Sequence, residues 1–158
     1  MHPSVENVTR TLAELGATDA SANVRTLPDA ARTAAAAAEQ LGVDVAQIAN
    51  SLVFAADGAP LLVMASGGHR VDTAKVAAIV GADRVERATP EFVREHTGFA
   101  IGGVAPVAHP APLRTLVDVD LERYDEVWAA AGHPHTVFPT SYAELLRITD
   151  GEPADIGQ

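Results

Sequence analysis

A glycine pair inside an apolar run is the feature whose residue types first suggest chemistry. Gly102-Gly103 lies between Phe99 and Pro110, where glycine and proline exclude a regular helix. Because glycine lacks a Cβ, the N–H groups of such a loop can approach a ligand and hold an anion or an oxyanion. A tight turn explains the same residues and is the simpler interpretation of the spacing alone.

Histidines form a second candidate site. His133-Pro134-His135 places two imidazoles at i and i+2, on one face of an extended segment, where they can chelate zinc, and His69 or His109 can complete such a site. The chain has no cysteine and no H-E-x-x-H pattern, so histidines bonded to backbone or water are the favoured interpretation. We expect no metal and no cofactor.

A second glycine turn follows a predicted buried strand, in the run Ser66-Gly67-Gly68-His69-Arg70. It can cradle a phosphate beside Arg70, or it can simply connect the strand to the next helix. The glycines fit the connection better, because no Walker lysine or G-x-G-x-x-G pattern accompanies them. Ser66, His69 and Arg70 remain candidate contacts at the rim of a site. A G-x-S-x-G hydrolase elbow is also absent from the sequence.

The elements that must position these loops are helices and strands in mixed order. Helices are predicted behind capping residues that precede apolar or alanine-rich stretches, namely Ser4, Thr33, Asp72, Thr89 and Ser141. Asp57-Gly58 between two apolar runs predicts a hairpin. The mixture predicts an α+β fold, with a mixed, curved sheet or partial barrel and helices packed outside. We expect one domain over residues 1–149 and a loose acidic tail over 150–158.

Composition limits the partners. The 158 residues include 21 acidic and 11 basic ones, giving a net charge of -10. Nucleic-acid affinity comes mainly from Lys and Arg, so we expect no DNA partner and no grip on a whole tRNA body; a pocket for a terminal nucleotide is still allowed. No signal peptide opens the chain and no apolar run is long enough for a membrane helix, which predicts a cytoplasmic protein without a membrane partner.

The run 101–106 resembles the YbaK/EbsC/ProX family, which edits prolyl-tRNA synthetase errors and lines its aminoacyl pocket with a G-x-x-x-P loop. Gly102 and Pro106 match that pattern. The resemblance covers roughly residues 4–149 and includes the alanine-rich segment 33–42, the strand 48–54, the turn and helix 68–75, the lead-in 97–100 and the segment 132–146.

This resemblance implies a free-standing aminoacyl-tRNA deacylase that hydrolyses the ester between a wrong, small amino acid and the terminal ribose of tRNA, usually prolyl-tRNA. It implies catalysis without a metal, assisted by the ribose hydroxyl. The partner is the aminoacyl-tRNA acceptor end, with room for a tRNA synthetase. The implied catalytic residues are Asn50, Gly102 and Gly103. The implied substrate contacts are Ser66, His69, Arg70, Val104, Ala105, Pro106, His133 and His135.

Asn50 departs from the family pattern. Many members have lysine at this position, before Ser51-Leu52, and the only lysine of this chain is Lys75. An amide can orient a carbonyl or a ribose hydroxyl but supplies no charge. The alternative is therefore a weak or inactive module that binds an aminoacyl-adenosine-like ligand or a synthetase.

Overall fold

Helices form where the capping residues predict them. The computed structural model describes residues 2–31 and 33–158. Within that part of the chain the α-helices are α1 Pro3–Glu14, α2 Thr18–Ala22, α3 Ala34–Leu41, α4 Thr73–Val80, α5 Pro90–Thr97 and α6 Tyr142–Thr149. Thr33, Asp72, Thr89 and Ser141 cap their helices through side-chain oxygens, as predicted. The predicted cap Ser4 is wrong by two residues: Pro3 begins α1 and the His2 side chain accepts the Ser4 N–H.

The strands of the described residues form one sheet of mixed direction. They are β1 Arg25–Thr26, β2 Ile48–Ala56, β3 Ala59–Ser66, β4 Val85–Arg87, β5 Arg114–Asp118, β6 Val127–Ala130, β7 Thr136–Thr140 and β8 Glu152–Ala154. The order is β1-β7-β6-β2-β3-β5-β8, with β4 added beside β2. Pairs β2–β6, β3–β5 and β5–β8 are parallel and the others antiparallel. The predicted fold class, a mixed sheet with packed helices, is confirmed.

The β2–β3 hairpin fixes the register at the centre of this sheet. Asp57 and Gly58 both have positive φ, 49° and 85°, as a two-residue type I′ turn requires. Ala56 then faces Ala59, and Pro60 faces Ala55. In a two-residue hairpin the pair beside the turn exchanges hydrogen bonds and the next pair does not. Pro60 therefore occupies a position where the β2–β3 ladder needs no N–H.

One edge of β2 pairs with β3, and its opposite edge is divided between two other strands. Strand β6 pairs with Ile48 and Ala49, whereas β4 pairs with residues 54–56. Within the described residues no strand pairs with this edge at residues 50–52, a stretch that we call the β2 gap. The hairpin register turns the N–H and C=O of Ser51 and Val53 toward this edge. Val53 O accordingly accepts the Ala88 N–H at 3.3 Å. The Ser51 backbone thus faces the gap.

Apolar residues pack on both faces of the sheet. The largest cluster joins α1, α5, α6 and the loop that carries Gly102, with Leu12, Val93, Val104 and Phe138 among its members. A second cluster gathers Phe54, Val76 and Ile156. A third lies between α3 and Trp128. Among the helices of residues 2–31 and 33–158, none combines the length and the apolar character needed to cross a bilayer.

The C-terminal segment is ordered, so the expectation of a loose tail is wrong. Strand β8 pairs with β5, and Ile156 is completely buried in the second cluster. Gly157 bridges to Val71, and the Gln158 N–H donates to Arg70 O. The acidic residues of this segment alternate with apolar ones, Ala154 and Ile156, and these supply the burial that orders it.

We expect Ile156→Ala to lower the free energy of unfolding by about 2–5 kcal/mol, because it opens a cavity in a packed cluster. Urea denaturation measures the change. Asp155→Ala is the matched control, since Asp155 is exposed and its pairing with Lys75 at 3.7 Å is a surface contact; its effect should stay within about 0.5 kcal/mol. Equal urea midpoints for the two variants would contradict the packing role of Ile156.

Candidate functional site

A cavity of about 310 Å³ opens at the β2 gap. We call it the gap cavity. Its described lining residues are Ala31, Thr33, Ala34, Ala37, Ile48, Ala49, Asn50, Ser51, Leu52, Arg87, Ile101, Gly102, Val104, Trp128, Ala129, Ala130, Pro134, Thr136 and Val137. Alanines of α3 form one wall. Because their side chains end at Cβ, the helix lies close to the sheet and still leaves space for a ligand.

Asn50 lies in the wall of this cavity, where the sequence predicts a functional residue. It is partly buried, and its carboxamide has no hydrogen-bond partner among the described residues, although its neighbours in β2 are paired with β3. An amide offers one acceptor oxygen and two N–H donors. Asn50 is therefore free to bind a ligand through either kind of group.

The glycine loop combines two N–H groups that have no acceptor in the described chain with one that is already hydrogen-bonded. Gly102 has φ 90° and occupies the third position of a turn in which Gly103 N–H donates to Ala100 O at 3.0 Å. The expectation that Gly103 offers its amide to a ligand is therefore wrong. A Cβ on Gly103 would lie 2.9 Å from His133 Cα, so its missing side chain serves close packing. The N–H groups of Gly102 and Val104 find no acceptor in the described chain, and both residues line the gap cavity.

Contacts from inside the fold hold this loop in place. Thr97 Oγ1 accepts the Phe99 N–H at 3.0 Å, and His109 Nε2 hydrogen-bonds Ala105 O at 2.8 Å. Ala105 and Pro106 are buried behind the cavity and are not among its described lining residues. Of the loop residues predicted to contact substrate, the structure thus brings Val104 to the cavity and leaves Ala105 and Pro106 as support.

The second glycine turn is a packing element. The Ser66 hydroxyl donates to Ala46 O at 2.8 Å and is buried, so the expectation that Ser66 lies at the rim is wrong. A Cβ on Gly67 would lie 2.5 Å from Val45 O and 2.7 Å from Ala34 Cβ. Of the two interpretations left open by the sequence, the connection between strand and helix is the one observed.

His69 is held between two carboxylates. Its Nδ1 lies 2.8 Å from Asp118 Oδ2, and its Nε2 lies 2.5 Å from Asp120 Oδ2. Asp118 is completely buried and also accepts the Ser66 N–H at 2.9 Å. Gly157 packs against the imidazole so closely that a Cβ there would lie 2.6 Å from Nδ1. Both ring nitrogens are engaged, and His69 joins the end of β3 to the C-terminal segment.

His133 and His135 lie behind the cavity wall. Their rings stack with centroids 5.2 Å apart, and the His135 N–H donates to His133 Nδ1 at 3.2 Å. Pro134 and Thr136 line the gap cavity, but neither histidine is among its described lining residues. Across residues 2–31 and 33–158, no three His, Asp or Glu side chains are grouped so as to hold a metal ion.

Three residues of the site escape the sequence analysis. Arg87 ends β4 opposite Phe54 and borders the gap cavity together with two adjoining hollows. Ile101 is 52% exposed at the tip of the loop. Trp128 is the only tryptophan, and its Nε1 is buried without a hydrogen-bond partner in the described chain. Trp128 could have been singled out from the sequence because it is the only tryptophan. Arg87 reaches the site on a three-residue strand, β4, which no sequence pattern predicts.

Most of the chain matches a known protein family. Residues 28–148 match the model of the aminoacyl-tRNA editing domain. The chain belongs to that family. The resemblance drawn from the sequence is therefore confirmed, and the glycine loop, Asn50 and Arg87 all lie within the matched residues of the editing domain.

Curated relatives of this editing domain include whole synthetases. The proline–tRNA ligases of Nitratidesulfovibrio vulgaris (strain DP4) and Lactiplantibacillus plantarum are 32% and 37% identical over 124 and 125 residues, 72% and 73% of this chain. The chain spans only 21% and 22% of their lengths. The uncharacterized protein YwhH of Bacillus subtilis is 32% identical over 114 residues, 72% of each chain.

A solved structure resembles the editing domain along its whole length. A crystal structure described as a candidate trans-editing enzyme for prolyl tRNA synthetase superposes with a TM-score of 0.91 and is 42% identical. It covers 100% of this chain and 99% of its own. The crystal structure of the hypothetical protein APE2540 superposes with a TM-score of 0.87 at 27% identity, covering 96% and 99%. The shared fold therefore includes the ordered C-terminal segment.

We expect acid to destabilise the chain through His109. Burial lowers the pKa of His109 below the ordinary value of 6.5, and the hydrogen bond to Ala105 O only partly opposes this effect. The unfolded chain then binds more protons than the folded one below pH 6.5, so stability is complete above that pH and is lost as the pH falls through and below it. Urea midpoints between pH 7.5 and 5 measure the loss.

His109→Gln is the comparison variant, because a glutamine amide can still donate to Ala105 O and does not titrate. Its midpoint should fall less steeply with acid than that of the natural chain. Parallel midpoint curves for the two proteins would contradict the assignment of the acid sensitivity to His109.

Proposed function

We propose that the chain hydrolyses the ester that joins a wrong amino acid to the terminal ribose of a tRNA. The observation that carries this proposal is the gap cavity itself, where an uncommitted carboxamide and uncommitted backbone N–H groups surround a space walled by alanine. Such a site suits a small acyl group whose carbonyl needs hydrogen-bond donors. Membership of the editing-domain family supports the substrate class.

The amide groups suggest how the carbonyl is held. Asn50, Gly102 and Val104 line one cavity, and the Asn50 carboxamide and the N–H groups of the other two have no partner in the described chain. Donors fixed before the reaction stabilise the negative charge that develops on a carbonyl oxygen under attack. Here the loop is fixed by buried contacts, so its donors need no reorganisation when the tetrahedral intermediate forms.

The described residues that line the cavity supply no activated nucleophile. The Thr136 hydroxyl donates to His133 O at 3.1 Å, and the Ser51 hydroxyl donates to Met64 Sδ at 3.3 Å. Thr33 Oγ1 accepts a helix N–H at 3.1 Å. No described histidine or carboxylate lines the cavity to take a proton from these hydroxyls, and an arginine guanidinium offers only donors. The proposal therefore makes water the nucleophile.

The proposed reaction balances without any other reagent. Water oxygen bonds to the acyl carbon, and the bond between that carbon and the ribose oxygen then breaks. A proton passes from the water to the departing ribose oxygen, with the neighbouring ribose hydroxyl as the nearest group able to relay it. The products are the free amino acid and a tRNA with an intact terminal ribose.

Prolyl-tRNA synthetase errors are the proposed biological source of the substrate. The relatives include proline–tRNA ligases and a structure described as a candidate trans-editing enzyme for prolyl tRNA synthetase. A synthetic site cannot strongly reject an amino acid smaller than its own, so such errors need a second, hydrolytic site. The small side chains around the gap cavity fit an acyl group of that kind.

Incubation with tRNA^Pro mischarged with a panel of small amino acids tests the proposal. We expect release of amino acid by the natural chain and a loss of about 10²–10³-fold in kcat for Asn50→Ala, the range seen when one oxyanion donor is removed. Asn7→Ala is the matched control, because Asn7 lies on α1 and contacts Arg10 at 2.8 Å, away from the cavity.

The quenching of Trp128 fluorescence by a non-hydrolysable aminoacyl-adenosine analogue separates binding from chemistry, since Trp128 is the sole tryptophan and lines the cavity. Binding without release across the whole panel would sink the deacylase proposal and favour the binding module. Release that is unchanged in Asn50→Ala would remove Asn50 from the mechanism.

A further inference from the structure

A groove of about 370 Å³ adjoins the gap cavity, and two arginines line it. Asn50, Leu52 and Arg87 border both spaces, so the groove begins where the gap cavity ends. Arg70 lines its other side, beside the first residues of α4. We call it the arginine groove.

Both guanidinium groups are uncommitted. In the described chain the side chains of Arg70 and Arg87 make no hydrogen bond and no ion pair, and the Gln158 N–H contacts only the carbonyl of Arg70. Arg84 and Arg114, by contrast, are engaged, in the Arg84–Glu86 pair at 3.2 Å and the Arg114–Glu152 pair at 3.0 Å. Arg25 and Arg94 also lack a side-chain partner in the described chain, but neither of them is among the described lining residues of the groove. Two unpaired cations therefore line one space on an otherwise acidic molecule.

Carboxylates near the groove are occupied by other groups. Asp72 accepts the Ala74 N–H at 3.0 Å as the cap of α4. Asp118 and Asp120 hold His69, and Glu86 pairs with Arg84. None of the described lining residues of the groove is acidic. The charge of the two arginines is thus not neutralised locally, and the groove is suited to an anion.

The floor between the arginines is apolar. Leu52, Phe54 and Val71 supply it, and all three pack with the second hydrophobic cluster. An apolar floor beside guanidinium groups matches a nucleotide, in which a base or sugar lies next to a phosphate. Inorganic phosphate alone would use the charges and leave the floor uncovered.

We propose that the arginine groove binds the single-stranded 3′ end of tRNA just upstream of the terminal nucleotide, with Arg70 and Arg87 contacting its phosphates. This inference rests on the proposed function, which places the acyl carbonyl at Asn50 and therefore the terminal ribose esterified to it nearby. Contacts between the two arginines and two phosphates make an RNA substrate compatible with a net charge of -10. The attraction then acts only on the single strand of RNA that must enter the site.

Steady-state deacylation of mischarged tRNA by Arg70→Ala and Arg87→Ala tests the groove. We expect each variant to raise KM about tenfold and to leave kcat within about twofold of its natural value. The reason is that a charge-assisted contact to a phosphate is equally strong in the ground state and the transition state, so its loss weakens binding only. The slope of log KM against log salt should fall by about 0.7 for each lost phosphate contact on a single strand. Arg70→Lys and Arg87→Lys should restore the natural slope.

Arg84→Ala is the matched control. It removes an arginine of the same region, and Arg84 is paired with Glu86 and is not among the described lining residues of the groove. Its KM and salt slope should equal those of the natural chain. Salt slopes that Arg70→Ala and Arg87→Ala leave unchanged, or losses confined to kcat, would overturn the proposal.

A binding measurement keeps the inference separate from the deacylase proposal. Fluorescence anisotropy of a labelled ACCA oligoribonucleotide needs no turnover, and the affinity should fall about tenfold in each alanine variant. If the natural chain releases no amino acid yet binds ACCA through both arginines, the groove stands and the deacylase proposal fails. If inorganic phosphate at matched ionic strength displaces ACCA completely and binds as tightly, the groove is a simple anion site and the proposal is overturned.

Discussion

The site depends on one constraint, which is that two different strands share one edge of β2 and do not meet. Strand β6 takes the beginning of that edge and β4 takes its end. A β-strand edge left open inside a fold carries backbone groups that need partners. Here the opening is lined by a glycine loop and an alanine helix, neither of which closes it. The cavity therefore lies where the strand pairing along this edge of β2 is interrupted. The register of the β2–β3 hairpin sets its position.

The polar groups around the cavity fall into two sets. The committed groups have hydrogen-bond partners within the described chain, and the uncommitted groups have none. Ser66 and His69 are hydrogen-bonded to Asp118, and the Gly103 N–H is separately bonded to Ala100 O; these contacts fix the backbone around the opening. Asn50, Arg87 and the amides of Gly102 and Val104 have no partner in the described chain. Arg87 is exposed and Asn50 and Gly102 are partly exposed, so their polar groups are open to a ligand, whereas leaving the N–H of the buried Val104 unpaired is unfavourable. Their concentration at a single opening points to a ligand that pairs with them. The committed residues are what hold the uncommitted ones in place.

Local signals in the sequence predicted local structure well. The caps at Thr33, Asp72 and Thr89 and the turn at Asp57-Gly58 each depend on a few neighbouring residues, and each was found as predicted. Features set by distant pairing were missed. Strand β8 orders the C-terminal segment through a partner more than 30 residues away along the chain, and β4 brings Arg87 to Asn50 across the sheet. Such pairings depend on packing between whole elements, which residue spacing does not encode.

The glycine motifs are ambiguous in the sequence for the same reason, because contacts with distant residues decide why each glycine is required. A glycine can be required because a ligand approaches the backbone, because φ is positive or because another chain segment lies against it. Gly102 has the second requirement and borders the cavity, whereas Gly103 and Gly67 have the third. Only the neighbours seen in three dimensions separate these cases, since the sequence shows the same residue in each.

Asn50 and Arg87 together alter the meaning of the missing lysine. The sequence has a neutral residue at a position where the family resemblance implies a lysine, which suggests a site without charge. The structure places a guanidinium from β4 at the border of the same cavity. An unpaired cation close to the site can attract a substrate phosphate whichever β-strand carries it. Because Arg87 borders the cavity and has no partner in the described chain, an asparagine at position 50 does not leave the cavity without a nearby positive charge. In the proposed reaction, the carboxamide at Asn50 then has the separate task of orienting the carbonyl.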